Sequence, residues 1–117
     1  MSMRRIILEM GSGNDLYGED YTKAAVRAVQ DALHHSSLTL FKSLNIDPNT
    51  MRVDVTIGVQ KPDEIDSATI AKQIPYGTVN VNSVTGGMNL PDPENDIVSV
   101  VATAAIAAYI DPDKIPQ

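Results

Sequence analysis

Met51-Arg52-Val53-Asp54-Val55-Thr56-Ile57-Gly58-Val59-Gln60 decides the fold. Every odd residue from Met51 to Val59 is apolar, and every even one from Arg52 to Gln60 is polar or glycine. Successive side chains of a strand point to opposite faces, so this alternation predicts a strand with one face in a core and the other outside it. Such a strand belongs to a sheet covered on one side.

Towards the N-terminus, Arg5 to Met10 reads as a strand, with Ile6, Leu8 and Met10 on one face and Ile7 and Glu9 on the other. The stretch Gly11-Ser12-Gly13-Asn14-Asp15-Leu16-Tyr17-Gly18 then reads as a turn that breaks it. A long helix is expected from about Asp20 to Leu44, with Asp20 as N-cap and Glu19 adding favourable charge. Val26, Val29, Leu33, Leu40 and Leu44 supply its apolar stripe, and Lys23, Arg27, Gln30, Asp31 and His34 its wet side. Asn45 and Asp47-Pro48-Asn49 end it.

Towards the C-terminus, a short helix is expected from Asp63 to Gln73, carrying Ile65, Ala68, Ile70 and Ala71 and closed by Pro75 and Gly77. Thr78 to Thr85 reads as a third strand, with Val79 and Val81 inward and Asn80 and Asn82 outward. Gly86-Gly87 ends it, and Met88 to Asp96 reads as a polar loop. From Val98 to Ile110 every even residue is apolar, which favours a strand over the helix that its alanines would support. The prediction is one α/β (α+β) domain over residues 1–117, ordered β-α-β-α-β-β, with a mixed sheet and both helices on one face.

A chain of 117 residues is long enough to bury roughly two-thirds of its unfolded surface in one core. It has no Cys, which excludes disulfides, thiolate nucleophiles and Cys-ligated zinc. Its net charge of −6 disfavours nucleic acid and anionic membrane as partners. The first apolar run breaks at Glu9, too short for a secretory signal, and the segment from Ile97 to Ile110 falls short of the ~20 residues that span a bilayer. The expectation is a cytoplasmic protein with no nucleic-acid or membrane partner.

With the helices on the apolar face, the other face carries Arg52, Asp54, Thr56, Asn80, Asn82, Ser99 and Thr103. It is open to two readings: a solvated face, or an interface with a second subunit. Short amides and hydroxyls make geometrically fixed hydrogen bonds at little entropic cost, which favours an interface in a homo-oligomer, dimer or trimer.

The glycine-rich stretch follows a strand and precedes a helix, as phosphate-binding turns do. It lacks their patterns, since Leu16 stands where a dinucleotide fingerprint needs its third glycine and no Gly-Lys-Ser/Thr triplet exists. Asp15, Glu19 and Asp20 would also repel a phosphate. Their oxygens suit Mg or Ca, but no spacing matches a known loop, so no metal is expected. The stretch is either a structural turn braced by Asp15 or a site for a small polar ligand. His34 and His35 point about 100° apart on their helix and cannot share a metal.

The stretch from Gly11 to Gly18 resembles the hallmark Gly-x-Gly-x-Asp-x-His-Gly of a family of short conserved hypothetical proteins, the "Lin" family. The likeness continues through Thr22 to Ala28, Ile57-Gly58-Val59 and Gly86-Gly87, nearly the whole chain. The chain departs at Tyr17, where the family has His; a Tyr still donates a hydrogen bond. The resemblance implies a fold and no established function. A more distant likeness, at the level of fold, is to chorismate-mutase-like and YjgF-like architectures and to cyclic amide hydrolases built of similar units, whose sites lie between units. It implies a site at a subunit boundary acting on an amide or imine-type metabolite. A Ser/Lys pair of the hydrolase kind would draw on Ser12 or Ser83 with Lys23 or Lys61.

The expected function is small-molecule binding by a homo-oligomer, with a non-catalytic structural module as the alternative. The candidate ligand-binding residues are Gly11, Ser12, Gly13, Asp15, Tyr17 and Gly18 in the first glycine segment, with Ser83, Thr85, Gly86 and Gly87 in the second. No cofactor is expected.

Overall fold

The computed structural model describes residues 3–34 and 45–114. Strand β1 (Arg4–Asp15) is followed by helix α1 (Tyr21–His34), strand β2 (Arg52–Val59), helix α2 (Ser67–Ala71), strand β3 (Thr78–Thr85), strand β4 (Met88–Asp92) and strand β5 (Ile97–Ile110). The five strands form one sheet in the order β1-β5-β2-β3, with β4 also paired to β5. β2 and β3 are parallel, joined by a crossover through α2, and the other pairings are antiparallel. This is the expected α+β architecture with a mixed sheet and two helices, enlarged by one strand.

The alternation in β2 is realised as read. Met51, Val53, Val55, Ile57 and Val59 are all buried, while Arg52, Asp54 and Thr56 are half-buried on the other face. In β5, Val100, Ala102, Ala104, Ile106, Ala108 and Ile110 are buried, so the segment is a strand of 14 residues. Val53, Val55, Ile57 and Val59 of β2 and Val100, Ala102, Ala104 and Ile106 of β5 meet Ala24, Ala28 and Val29 of α1, and Ile70 and Ile74 at α2, in one core, while Met51, Ala108 and Ile110 form a second cluster with Ile46. Each buried Val or Ile contributes roughly 1.5–3 kcal/mol of transfer free energy.

The glycine-rich stretch is where the structure departs most from expectation. β1 does not break at Gly11 but continues paired to β5 as far as Asp15, opposite Val100. Gly11 and Gly13 lie under α1. A Cβ on Gly11 would meet the Ala28 carbonyl and the Ala32 amide, and one on Gly13 the Ala28 amide and the Ala24 carbonyl. These glycines therefore serve close strand–helix contact. The same contact explains the helix stripe: Ala24, Ala28 and Ala32, four residues apart, are fully buried, whereas Val26 and Leu33 sit at its flanks. Asp20 caps α1 as expected, its Oδ1 accepting from the Lys23 N–H at 3.0 Å. Leu40, Leu44 and His35 lie outside the described residues.

Three further boundaries differ. The register of β1 shifts between Arg5 and Ile7, and Leu8 and Met10 lie on the open face. The second helix is shorter than expected: residues Pro62–Glu64 form a separate 3-10 turn, and Asp66 restarts the chain as the N-cap of α2. Met88 to Asp92 is a strand, pairing Leu90 with Ser99, and not a loop. Gly87, at φ 60°, carries the chain from β3 past the end of β2 to this new strand. No described helix is long and apolar enough to cross a membrane.

Candidate functional site

The face of the sheet away from the helices is built by the register. Ser12 lies opposite Thr103 and Thr103 opposite Gly58, while Met10 lies opposite Ala105 and Ala105 opposite Thr56. Small residues therefore occupy the centre. Gly58 leaves no room for a side chain: a Cβ there would stand 2.7 Å from the Thr103 hydroxyl. Met10 forms one wall and Val84 of β3 the other. The result is a groove of about 560 Å³, a size typical of small-molecule sites.

The two glycine segments meet at this groove. Gly11 and Ser12 line one end, Thr85 and Gly86 the other, and Thr56, Gly58 and Thr103 lie between. Asp31 of α1 stands at the β1 rim, where its Oδ2 accepts from the Ser12 N–H at 2.9 Å.

The remaining candidates lie elsewhere. Gly13 is packed under α1. Asp15 is buried beneath the turn after β1, its Oδ2 accepting from the N–H groups of Gly18 at 3.2 Å and Asp20 at 2.9 Å. Lys23 and Arg27 stand 3.9 and 3.8 Å from its Oδ1. Tyr17 is 78% exposed. Ser83 turns its hydroxyl to the helix side, where it is buried without a hydrogen-bond partner. Gly87 lies beyond the groove, with a would-be Cβ 2.9 Å from the Gly58 carbonyl.

Lys61 is held by Glu19 at 3.4 Å and lies over the Tyr21 ring; this carboxylate, first by hydrogen bond and then by charge, raises its pKa. Lys23 faces Asp15, and no Ser–Lys hydrogen bond forms among the described residues. Nor do three or more His, Asp or Glu residues cluster there as a metal site would require.

Sequence reasoning did not single out Met10, Asp31, Gly58, Val84, Ala104 or Ala105 for the groove. The alternation in β2 and β5 did place Thr56 and Thr103 on the open face, and following it along those strands finds Gly58 and Ala105. Asp31 reads as one more wet helix residue until its contact with Ser12 is seen.

The same face exposes Leu8, Met10, Val84, Met88 and Leu90, each between 41% and 65%. Arg52 and Asp54 lie at its far end, 3.4 Å apart, with the guanidinium 4.3 Å from the Tyr109 ring centre.

A crystal structure of an FtsZ-like protein of unknown function from Nostoc punctiforme PCC 73102 superposes with a TM-score of 0.83 at 29% sequence identity, over 95% of this chain and 98% of that one. No curated protein matches. The model of a conserved hypothetical protein family, Lin0512, matches residues 5–108, across the glycine strand, α1, β2 and the groove. The chain belongs to the Lin0512 family of conserved hypothetical proteins.

Proposed function

We propose that this chain is a cytoplasmic small-molecule-binding protein that works as a homo-oligomer, with the groove between Ser12 and Gly86 as its binding site at a subunit boundary. One observation carries the reading. The large exposed apolar residues of β1, β3 and β4 gather on the single sheet face that has no helix over it, around a groove of small residues and hydroxyls. An apolar patch of this kind on a folded chain marks an interaction surface.

A second copy is the partner that the face fits. Arg52 and Asp54 put both signs of charge on one surface, and an isologous interface sets each against its opposite on the partner. Packed against a second copy, the groove becomes enclosed. Among the described residues no lysine or histidine and one carboxylate line it, so the reading assigns binding and no reaction. The Nostoc protein is itself of unknown function, so similarity to it supports the fold and lends no activity.

A metabolite thermal-shift screen tests the binding. A ligand that binds only the native state raises the melting temperature. The reading expects at least one hit whose effect disappears in Gly58→Val, where the side chain fills the groove. A broad metabolite set with no such hit would leave a purely structural module.

A further inference from the structure

Among the described residues, the strands with a free edge are β1, β4 and β3, and the first two are guarded. β1 carries Arg4, Arg5 and Glu9, and α1 reaches over its outer side: the Asp31 carboxylate accepts from the Ser12 N–H at 2.9 Å, and the Arg27 guanidinium donates to the Asn14 carbonyl at 2.6 Å. β4 is five residues long and holds Pro91 and Asp92. Charge, proline, shortness and cover are the devices that keep natural sheet edges from pairing. β3 has none of them. Thr78-Val79-Asn80-Val81-Asn82-Ser83-Val84-Thr85 is uncharged and free of proline, and its register with β2 runs unbroken. Thr78 at its start and Gly86 just past its end donate their N–H groups inward, to Met51 and Val59. Successive residues of a strand hydrogen-bond to alternate sides, so Val79, Val81 and Ser83 turn their N–H and C=O groups outward. Among the described residues, no hydrogen bond reaches these outward groups.

We propose that the β3 edge pairs with the β3 edge of a second copy, antiparallel about a two-fold axis at Val81, so that the two sheets run on as one. The contact lies at the edge and does not depend on the groove or on the small-molecule reading. A two-fold axis sets the strand against itself, where like charges would repel, and this strand carries none. In this register Val79 and Ser83 lie opposite each other and Val81 opposite its own copy, so the outward groups find mates. The half-buried Val79 and Val81 then continue the core across the seam, while Asn80 meets Asn82 of the partner subunit on the open face, amide to amide. Eight residues of edge bury far less than the about 1,200 Å² of a standard interface. The pairing is therefore weak, with a Kd of about 0.3 mM, and absent at low micromolar concentration.

Amide hydrogen exchange of the full-length ¹⁵N-labelled protein, followed by NMR as a function of its own concentration, tests this. Between tens of micromolar and about 1 mM, exchange at Val79, Val81 and Ser83 should slow about threefold, as mass action at that Kd requires, with less change at Asn80 and Asn82, which already bond to β2. The same slowing is expected in Met10→Glu/Leu90→Glu, whose open face is charged, because the edge does not use that face. Asn80→Lys/Asn82→Lys sets like charges across the seam at exposed positions and should abolish the slowing with the fold intact. Asn80→Lys/Asn82→Glu sets opposite charges there and should retain it. Exchange that does not respond to concentration, slowing lost in Met10→Glu/Leu90→Glu, or equal behaviour of the two Asn80/Asn82 variants overturns the proposal and leaves the small-molecule reading untouched.

Discussion

A Cβ added to Gly13 has no space: it would lie on the backbone of Ala24 and Ala28, which cannot yield as a flexible side-chain end can. Gly13→Ala should therefore destabilise the protein by about 3 kcal/mol, the upper part of the range for overpacked interiors, as read from urea melts. A plain turn glycine with negative φ would accept alanine at little cost. Asp15 makes a second prediction at this scale. It accepts two N–H bonds of the turn and faces Lys23 and Arg27, so Asp15→Asn keeps an acceptor and loses the charge. Stability should fall by about 1 kcal/mol, the difference between a charged and a neutral hydrogen bond, while binding in the groove is unchanged. Lost affinity at constant stability would place Asp15 in the site.

Among the elements, α2 depends on its cap. Asp66 accepts from Ala68 and Thr69 N–H groups and from the Thr69 hydroxyl at 2.9 Å, and the hydroxyl bond leads in holding its carboxyl below its usual 3.8. A carboxylate with a lowered folded pKa stabilises above its unfolded value, and that contribution is lost as pH falls through the folded value. The amides of Ala68 and Thr69 should thus keep their hydrogen-bonded shifts down to about pH 4 and lose them below, in an NMR titration. Loss beginning near neutrality would contradict the cap. The elements also show what the sequence could tell. β2 and β5 were legible because one face of each is buried along its whole length, and period-2 alternation records that directly. The second half of β1 was not. Glycine is both the usual turn former and the only residue that lets a helix backbone approach a strand this closely, and composition alone does not separate the two uses. For the same reason α1 hides its stripe, since buried alanines do not stand out beside Val26 and Leu33. β4 was hidden by its brevity and by Pro91 and Asp92, which read as loop residues. The groove was legible in part: both glycine segments were singled out, but which of their residues face it depends on the register of β1.

At the scale of the whole molecule, the two faces of the sheet have opposite fates. One is sealed by α1 and α2 over Val55, Ile57 and Ala104. The other shows Leu8, Met10, Val84, Met88 and Leu90 around the groove. If a second copy covers this face, as proposed above, these exposed residues are part of an interface. Met10 and Leu90 are 65% and 62% exposed in the single chain, so charging them should leave folding nearly intact, within roughly 0.5 kcal/mol in denaturant melts. Their replacement should act instead on association, because an unpaired charge buried at an interface is costly. Sedimentation velocity at micromolar concentration, run on the wild type beside Met10→Glu/Leu90→Glu, tests this most directly. The expected result is a wild type of two or more chains and a folded, monomeric double variant. A monomeric wild type, or a double variant that sediments with the same mass as an oligomeric wild type, would contradict it.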